Sequence, residues 1–175
     1  LFRERVGDSD YLLAFVTPPS IEQAQQKPLP REVIFVIDNS GSMGGVSIIQ
    51  AKASLIYALG RLQPNDRFNV IRFDHTMDVL FPAAVPADRE HIGRATSFVG
   101  ALQANGGTEM VPAMRAALSD KVDDANYVRQ VVFLTDGAIG NEQQLFETIN
   151  ALRGRSRIFM VGIGSAPNTY LMTRA

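Results

Sequence analysis

Hydrophobic residues follow two different spacings along the chain. From Arg31 onward, short runs of consecutive apolar residues alternate with segments in which apolar residues recur every three or four positions. Consecutive runs are typical of strands buried on both faces, and the wider spacing is typical of amphipathic helices. Their alternation predicts an α/β fold in which a central, mostly parallel sheet in doubly wound order has helices on both faces.

Four apolar runs predict the buried strands of this sheet. They cover residues 33–37, 68–73, 131–134 and 157–163. A short antiparallel edge strand is predicted at 79–81, because Pro82 follows it and proline is tolerated at the edge of a sheet. Before the sheet, the apolar run 11–16 predicts one more strand, which Pro18 and Pro19 end.

The helices are predicted from the apolar residues that repeat every three or four positions. The first carries Ile48, Ile49, Leu55, Ile56, Leu59 and Leu62, and Pro64 with Asn65 and Asp66 ends it. A second helix is predicted near 88–103 and a third near 110–121. A fourth carries Leu145, Phe146, Ile149 and Leu152, and residues 169–175 have the pattern of the first turns of a fifth.

The chain divides into two parts. Residues 20–30 are rich in Gln and Pro and have little to bury, which is typical of a connector. We therefore expect residues 1–30 to be an N-terminal strand and a linker from a preceding domain. Residues 31–175 are expected to form the α/β domain.

Charge and composition exclude several partners. The 17 basic and 18 acidic residues give a net charge of −1 without any block of like charge, so we expect no binding to nucleic acid. No apolar run approaches the roughly 20 residues that span a bilayer, so we expect no direct membrane insertion of these residues. Cysteine is absent, which removes thiolate metal sites and cysteine nucleophiles.

Candidate chemistry begins where the first strand of the sheet ends. Asp38, Ser40 and Ser42 alternate there, so in an extended loop their oxygen-bearing side chains can converge on one point. Gly41 allows the sharp turn that this loop requires. In open α/β sheets, ligands bind beyond the carboxyl ends of strands near the point where strand order reverses.

Two further loops offer oxygen ligands at the same edge. Thr108 follows the glycines at 106 and 107, and Asp136 ends the third buried strand. Hydroxyl and carboxylate oxygens suit a hard cation, most of all Mg²⁺, with Mn²⁺ and Ca²⁺ as the other candidates. The sequence therefore predicts one metal held by Asp38, Ser40, Ser42, Thr108 and Asp136.

Each motif also has an ordinary explanation when it is considered alone. Ser, Asp, Asn and Gly are common in any turn between a strand and a helix, and Ser42 could cap the next helix. Asp136 could likewise cap the helix that follows it. The metal site is favoured because all three loops carry oxygen ligands at matching strand ends.

These residues resemble the metal-ion-dependent adhesion site of von Willebrand factor A domains. Residues 38–42, Thr108 after its glycines, and Asp136 between Thr135 and Gly137 all match that pattern, and 65–71 and 162–164 also look like family segments. The resemblance covers about residues 31–175. It is strongest to the inter-alpha-trypsin inhibitor heavy-chain type, and especially to its bacterial relatives known as marine proteobacterial sortase targets.

The resemblance implies a surface adhesion module. In that type a smaller β-rich domain precedes the A domain, and a complete domain continues past Ala175, so we expect the chain to be incomplete at its C-terminus. It also implies that Ser40, Ser42 and Thr108 contact the metal directly, while the two aspartates often act through water. Such an ion stays electrophilic and favours an Asp or Glu carboxylate of a protein partner. We expect a monomer at a bacterial cell surface or cell envelope.

Two other functions remain open at this stage. An intracellular A domain that serves as the adaptor of an ATPase complex would use the same metal site, and residues 31–175 discriminate poorly against it. A metal-dependent phosphoryl-transfer enzyme also places an aspartate after its first strand, but the motifs include no phosphate loop and no residue to activate a hydroxyl. His75 is expected to be a surface histidine. We therefore expect no enzymatic activity.

Overall fold

A computed structural model describes residues 2–15, 29–119, 124–165 and 167–174. At the N-terminus, β1 (Phe2–Val6) and β2 (Ser9–Leu13) form an antiparallel hairpin whose residues are all exposed. The sequence pattern predicted a strand at 11–16 but not β1. The turn at Gly7, with a φ of 62°, pairs Val6 with Ser9 and so sets where β2 begins. Residue 16 and most of the predicted connector lie outside the described residues.

The central sheet has the predicted mixed architecture. Its strands are β3 (Arg31–Asp38), β4 (Arg67–Phe73), β5 (Met77–Val79), β6 (Val85–Pro86), β7 (Val128–Thr135) and β8 (Arg157–Gly162). The order is β5-β4-β3-β7-β8, and β6 pairs with β4. Strands β4, β3, β7 and β8 are parallel, whereas β5 and β6 are antiparallel to β4. The strand order reverses around β3, as expected for a doubly wound sheet.

Helices cover both faces of the sheet. They are α1 (Val46–Leu59), α2 (Arg89–Ala101), α3 (Met110–Leu118), α4 (Glu142–Leu152) and α5 (Thr169–Arg174). Alternate residues of β3 enter two cores: Val33, Phe35 and Ile37 pack with α1 and α2, while Ile34 and Val36 pack with α3, α4 and α5. This arrangement confirms the α/β prediction and explains why β3 is apolar on both faces.

Several element ends differ from the predictions, and three of them are described here. Helix α1 ends at Leu59 because Gly60 follows it, and Leu62 packs on the core from beyond the helix. Helix α3 ends at Leu118 rather than near 121. The edge strand β5 begins earlier than predicted because Met77 pairs with Phe73, which leaves Phe81 free to turn into the core.

The edge of the sheet at the amino ends of the strands holds a buried ion-pair cluster. Glu32 pairs with both Arg67 and Arg129, and the side chains of Glu32 and Arg129 are each 5% exposed. Burial is the main cause that lowers the pKa of Arg129 to about 10, and the charge of Arg155 contributes less.

In the described part of the chain, no helix is long and apolar enough to cross a membrane.

Candidate metal centre

The predicted ligands lie at the opposite edge of the sheet, where parallel strands have their carboxyl ends. Asp38 is the last residue of β3, and it lies between the ends of the neighbouring strands β4 and β7. Thr135 ends β7, directly before Asp136. This is the place where the strand order reverses and where open α/β sheets bind ligands.

Asp38 is a fully buried carboxylate. Its Oδ1 accepts a hydrogen bond from the backbone N–H of Ser40 at 2.8 Å, and its Oδ2 accepts one from the Thr135 hydroxyl at 2.7 Å. Burial raises the pKa of Asp38 above its ordinary value of 3.8, the hydrogen bonds oppose the rise, and the charge of Asp136 adds to it. A buried carboxylate beside a second carboxylate is a favourable place for a cation.

The two serine hydroxyls face each other. The Oγ atoms of Ser40 and Ser42 are 3.1 Å apart, with Ser40 buried and Ser42 exposed. The prediction assumed an extended loop, but only part of the loop is extended. Ser40 is extended, and Gly41–Met43 form a 3₁₀ turn. That turn brings the hydroxyls together. Ser42 does not cap α1, because α1 begins only at Val46.

The loop that carries Thr108 is fastened to the Asp38 loop. The backbone N–H of Asn105 donates to the carbonyl of Asn39 at 2.8 Å, and that of Gly41 donates to the carbonyl of Gly106 at 3.0 Å. Thr108 follows this junction and is half-buried. The structure therefore brings the Thr108 loop against the loop that holds the serines.

The same loop is also held from β4. The backbone N–H of Glu109 donates to the carbonyl of Asp74 at 2.7 Å. Gly106 has a φ of +70°, and a Cβ there would lie 2.1 Å from Nδ1 of His75. The imidazole therefore packs directly on Gly106, although 60% of the His75 side chain is exposed as expected.

Asp136 is half-buried and belongs to the turn after β7. Its Oδ1 accepts a hydrogen bond from the backbone N–H of Ala138 at 3.0 Å. Asp136 does not cap α4, which begins at Glu142 after Asn141. The charge of Asp136 contributes to the raised pKa of Asp38, so the two carboxylates interact electrostatically.

Three polar residues that support this region were not predicted as functional. Thr135 donates to Asp38, and Asn39 donates through Nδ2 to Oδ2 of Asp74 at 3.1 Å and to the carbonyl of Gln103 at 3.2 Å. Asp74 also accepts from Thr76 and Arg72. Asn39 lies inside the Asp38–Ser42 motif, and Thr135 lies beside Asp136, so their positions in the sequence were the available signal.

The donor set fits a hard divalent cation. It offers the hydroxyls of Ser40, Ser42 and Thr108 and the carboxylates of Asp38 and Asp136, all of them oxygen donors. Within the described ranges, no group of three or more His, Cys, Asp or Glu side chains could hold a metal. A centre here therefore depends on hydroxyl oxygens as well as on its two carboxylates.

Comparison with known proteins identifies the family of this chain. Residues 31–174 match the sequence profile of the von Willebrand factor type A domain. The chain belongs to this family. It is 36% identical over 149 residues to inter-alpha-trypsin inhibitor heavy chain H4 of Homo sapiens, a match that covers 78% of this chain and 16% of that protein. The von Willebrand factor A assignment and its heavy-chain resemblance are thus confirmed, and the chain spans a small part of that relative.

Two solved structures have the same fold as this von Willebrand factor A domain. A von Willebrand factor type A protein from Catenulispora acidiphila has a TM-score of 0.72 and 25% identity, covering 82% of this chain and 35% of that one. The manganese-loaded TRAP protein of Plasmodium vivax has a TM-score of 0.66 and 22% identity, covering 82% and 61%. Domains of this family commonly bind a divalent cation.

Proposed function

We propose that this von Willebrand factor A domain is a divalent-cation-dependent protein-binding module, and that its cation is held by Asp38, Ser40, Ser42, Thr108 and Asp136. The observation that carries the proposal is the Ser40–Ser42 hydroxyl pair, 3.1 Å apart, on a loop whose Ser40 amide donates to the buried Asp38 carboxylate. Hydroxyls at this spacing can share one hard cation as ligands.

The charge of the donor set supports an acidic partner. Three of the five donors are neutral hydroxyls, and Asp38 has both carboxylate oxygens engaged by hydrogen bonds. If the two aspartates act through water, as the family resemblance implies, the donors in direct contact are neutral hydroxyls and a bound dication keeps positive charge toward a partner. Ser42 lies at the exposed side of the site, so a partner's Asp or Glu carboxylate could approach from that side.

We propose Mg²⁺ as the resident ion, with Mn²⁺ and Ca²⁺ as alternatives. All five donors are oxygens, which suits Mg²⁺ together with retained water or a partner's oxygen. The TRAP neighbour is described as manganese-loaded, which supports a dication of similar size. We propose that the domain acts by binding and has no catalytic activity.

The setting we propose is a bacterial cell surface or cell envelope, with the domain itself a monomer. Support for the setting comes from structural neighbours that include an aerotolerance-related membrane protein of Bacteroides fragilis and a pilus adhesin of Lactobacillus rhamnosus. These similarities favour adhesion over the intracellular adaptor of an ATPase complex. We also propose that the domain is related to the bacterial sortase target proteins that its sequence resembles.

Calorimetric titration tests the cation site. Mg²⁺, Mn²⁺ and Ca²⁺ are titrated into the wild-type domain, Asp38→Ala and Ser40→Ala, with Ser54→Ala as a matched control because Ser54 is exposed on α1. We expect wild type and Ser54→Ala to bind equally and the two site variants to lose at least tenfold in affinity. Equal binding by all four proteins would overturn the site.

The acidic partner is tested by capture from cell-envelope extract. Immobilised wild type and Ser42→Ala are compared, each in Mg²⁺ and in EDTA. A partner of the proposed kind is retained only by wild type in Mg²⁺, and amidation of one of its acidic residues removes retention. Retention that is indifferent to EDTA and to the Ser42 substitution would contradict the proposed mode of binding.

A further inference from the structure

Asn168 lies between helix α5 and the turn that carries Asp136. Its backbone N–H donates a 2.9 Å hydrogen bond to the carbonyl of Asp136. Its side-chain Nδ2 donates at 3.1 Å to the carbonyl of Gly137. Two consecutive carbonyl groups of the turn are therefore held by one residue that lies about thirty positions further along the chain.

The same side chain fixes two helices. Its Oδ1 accepts a hydrogen bond from the backbone N–H of Leu171 at 3.1 Å, which caps the first turn of α5. Its Nδ2 also donates to Oε1 of Glu142, in the first turn of α4, at 2.5 Å. Asn168 therefore links α4, α5 and the Asp136 turn through one amide group.

Close packing at Gly137 supports this link independently. Gly137 has a φ of +75°, and a Cβ there would lie 2.8 Å from Cβ of Asn168 and 3.2 Å from atoms of Leu171 and Met172. Leu171 is fully buried in the core. The start of helix α5 thus packs directly against the turn.

We propose that Asn168 is a positioning residue of the metal centre, which sets the place of Asp136 relative to Asp38. The inference rests on the proposed function, because it assigns a consequence for cation affinity. Asn168 itself supplies no ligand. It holds the backbone of the Asp136 turn through its hydrogen bonds to the Asp136 and Gly137 carbonyls, so that cation affinity depends on these two bonds.

Manganese affinity is the first measurement. Mn²⁺ is titrated by calorimetry into wild type, Asn168→Ala, Asn168→Asp and Tyr170→Ala. The aspartate variant keeps the acceptor that caps α5 but loses the Nδ2 donor. Tyr170→Ala is the matched control, because it loosens α5 at its contact with Phe146 and leaves Asn168 intact. We expect both Asn168 variants to bind Mn²⁺ about tenfold more weakly and the control to stay within about twofold of wild type.

Hydrogen exchange in the metal-free protein is the second measurement, and it needs no bound cation. We expect Asn168→Ala to accelerate exchange of the Gly137 and Ala138 amides while the Ser40 amide, bonded to Asp38, keeps its wild-type rate. If Asn168 only stabilised the fold as a whole, the substitution would accelerate the exchange of all three amides together.

The outcomes separate this inference from the proposed function. If wild type binds no Mn²⁺, the proposed function fails, and the inference fails with it as a statement about affinity. If wild type binds and both Asn168 variants bind equally well, only the positioning role is overturned. An equal loss in Tyr170→Ala, or uniform acceleration of exchange, would also overturn it.

Discussion

Thr135 and Asp38 are joined by a 2.7 Å hydrogen bond from the threonine hydroxyl to the buried carboxylate, although 97 positions separate them in the sequence. The same hydroxyl accepts a hydrogen bond from the backbone N–H of Gly137 at 2.9 Å. Thr135 therefore connects the carboxylate at the end of β3 with the turn that carries Asp136. A side chain of the same shape without a hydroxyl can make neither bond.

Thr135→Val should destabilise the domain. The substitution keeps the shape but leaves Oδ2 of Asp38 and the N–H of Gly137 each without this partner. An unsatisfied buried polar group costs about 1–3 kcal/mol, so we expect the free energy of unfolding to fall by about 2 kcal/mol or more. Urea denaturation measures the change. Thr135→Ser, which keeps the hydroxyl, should lose less, and a valine variant as stable as wild type would refute this role.

Without a cation, the stability of the domain should fall as the pH rises above the ordinary pKa of Asp38. Burial raises the pKa of Asp38 above 3.8 in the folded chain. Between 3.8 and the raised value, the folded state holds a proton that the unfolded state has released. Folding is therefore penalised increasingly through this window, and the penalty is complete above the raised pKa.

Denaturation in EDTA from about pH 4 to about pH 7 checks this slope. Asp38→Asn should remove it, and saturating Mg²⁺ should offset it in wild type. Asp66 does not contribute to this slope. Burial alone would raise the pKa of Asp66, but hydrogen bonds from Arg31 and from the Gln63 amide, together with the charge of Arg31, lower it overall. Its contribution is lost only as the pH falls below 3.8. Identical slopes in wild type and Asp38→Asn would show the assignment to be wrong.

Gly106→Ala should destabilise the folded domain. The added Cβ would lie 2.1 Å from Nδ1 of His75, and the φ of +70° is unfavourable for alanine. We expect a loss of about 2 kcal/mol or more in the free energy of unfolding, since backbone strain alone costs about 1–3 kcal/mol. Adding His75→Ala should recover the part that comes from the collision.

Gly93→Ala is the matched control for this substitution. Gly93 lies within α2, and nothing is within 4 Å of a Cβ added there. Alanine favours a helix interior over glycine, so we expect Gly93→Ala to be neutral or to stabilise by up to about 1 kcal/mol. Denaturation of the four proteins completes the comparison. If the double variant is no more stable than Gly106→Ala, the collision with His75 is not the cause.

Glu32→Gln should lower the stability of the domain without changing its affinity for a cation. Glu32 is the shared ion-pair partner of Arg67 and Arg129, and breaking a buried ion pair by removing one partner costs about 3–5 kcal/mol. Glu32 and Asp38 lie at opposite ends of β3, roughly 20 Å apart at 3.3 Å per residue. We therefore expect a large fall in the denaturation midpoint with unchanged Mn²⁺ affinity below it. Glu147→Gln, at an exposed position of α4, should change neither, and a parallel loss of affinity in Glu32→Gln would contradict this separation.

The sheet and the candidate ligands could be predicted because both follow from local patterns. The apolar run before Asp38 predicted β3, and the rule for ligands at carboxyl strand ends pointed to Asp38 and Asp136. The hydrophobic spacing also located the five α-helices of the described residues. Whether the five residues bind a cation stays a prediction, as does the domain boundary at residue 30.

The features that the sequence did not predict depend on which residues meet after folding. The bounds of β5 follow from the pairing of Met77 with Phe73, and β1 depends on the turn at Gly7. Thr135 and Asn168 are single polar residues in ordinary surroundings. Their roles depend on which carboxylate or turn lies opposite them after folding, and hydrophobic spacing carries no such information.

The wide separation of Asp38, Thr108 and Asp136 in the chain has a consequence for resistance to proteolysis as well as for cation binding. Only the folded chain assembles these loops, so a cation held there would stabilise the native state alone, by about 2.7 kcal/mol at one hundred times its dissociation constant. Proteases cut the opened chain, whose population falls as that free energy grows. The lifetime of the domain in the presence of proteases would then follow the local concentration of the cation.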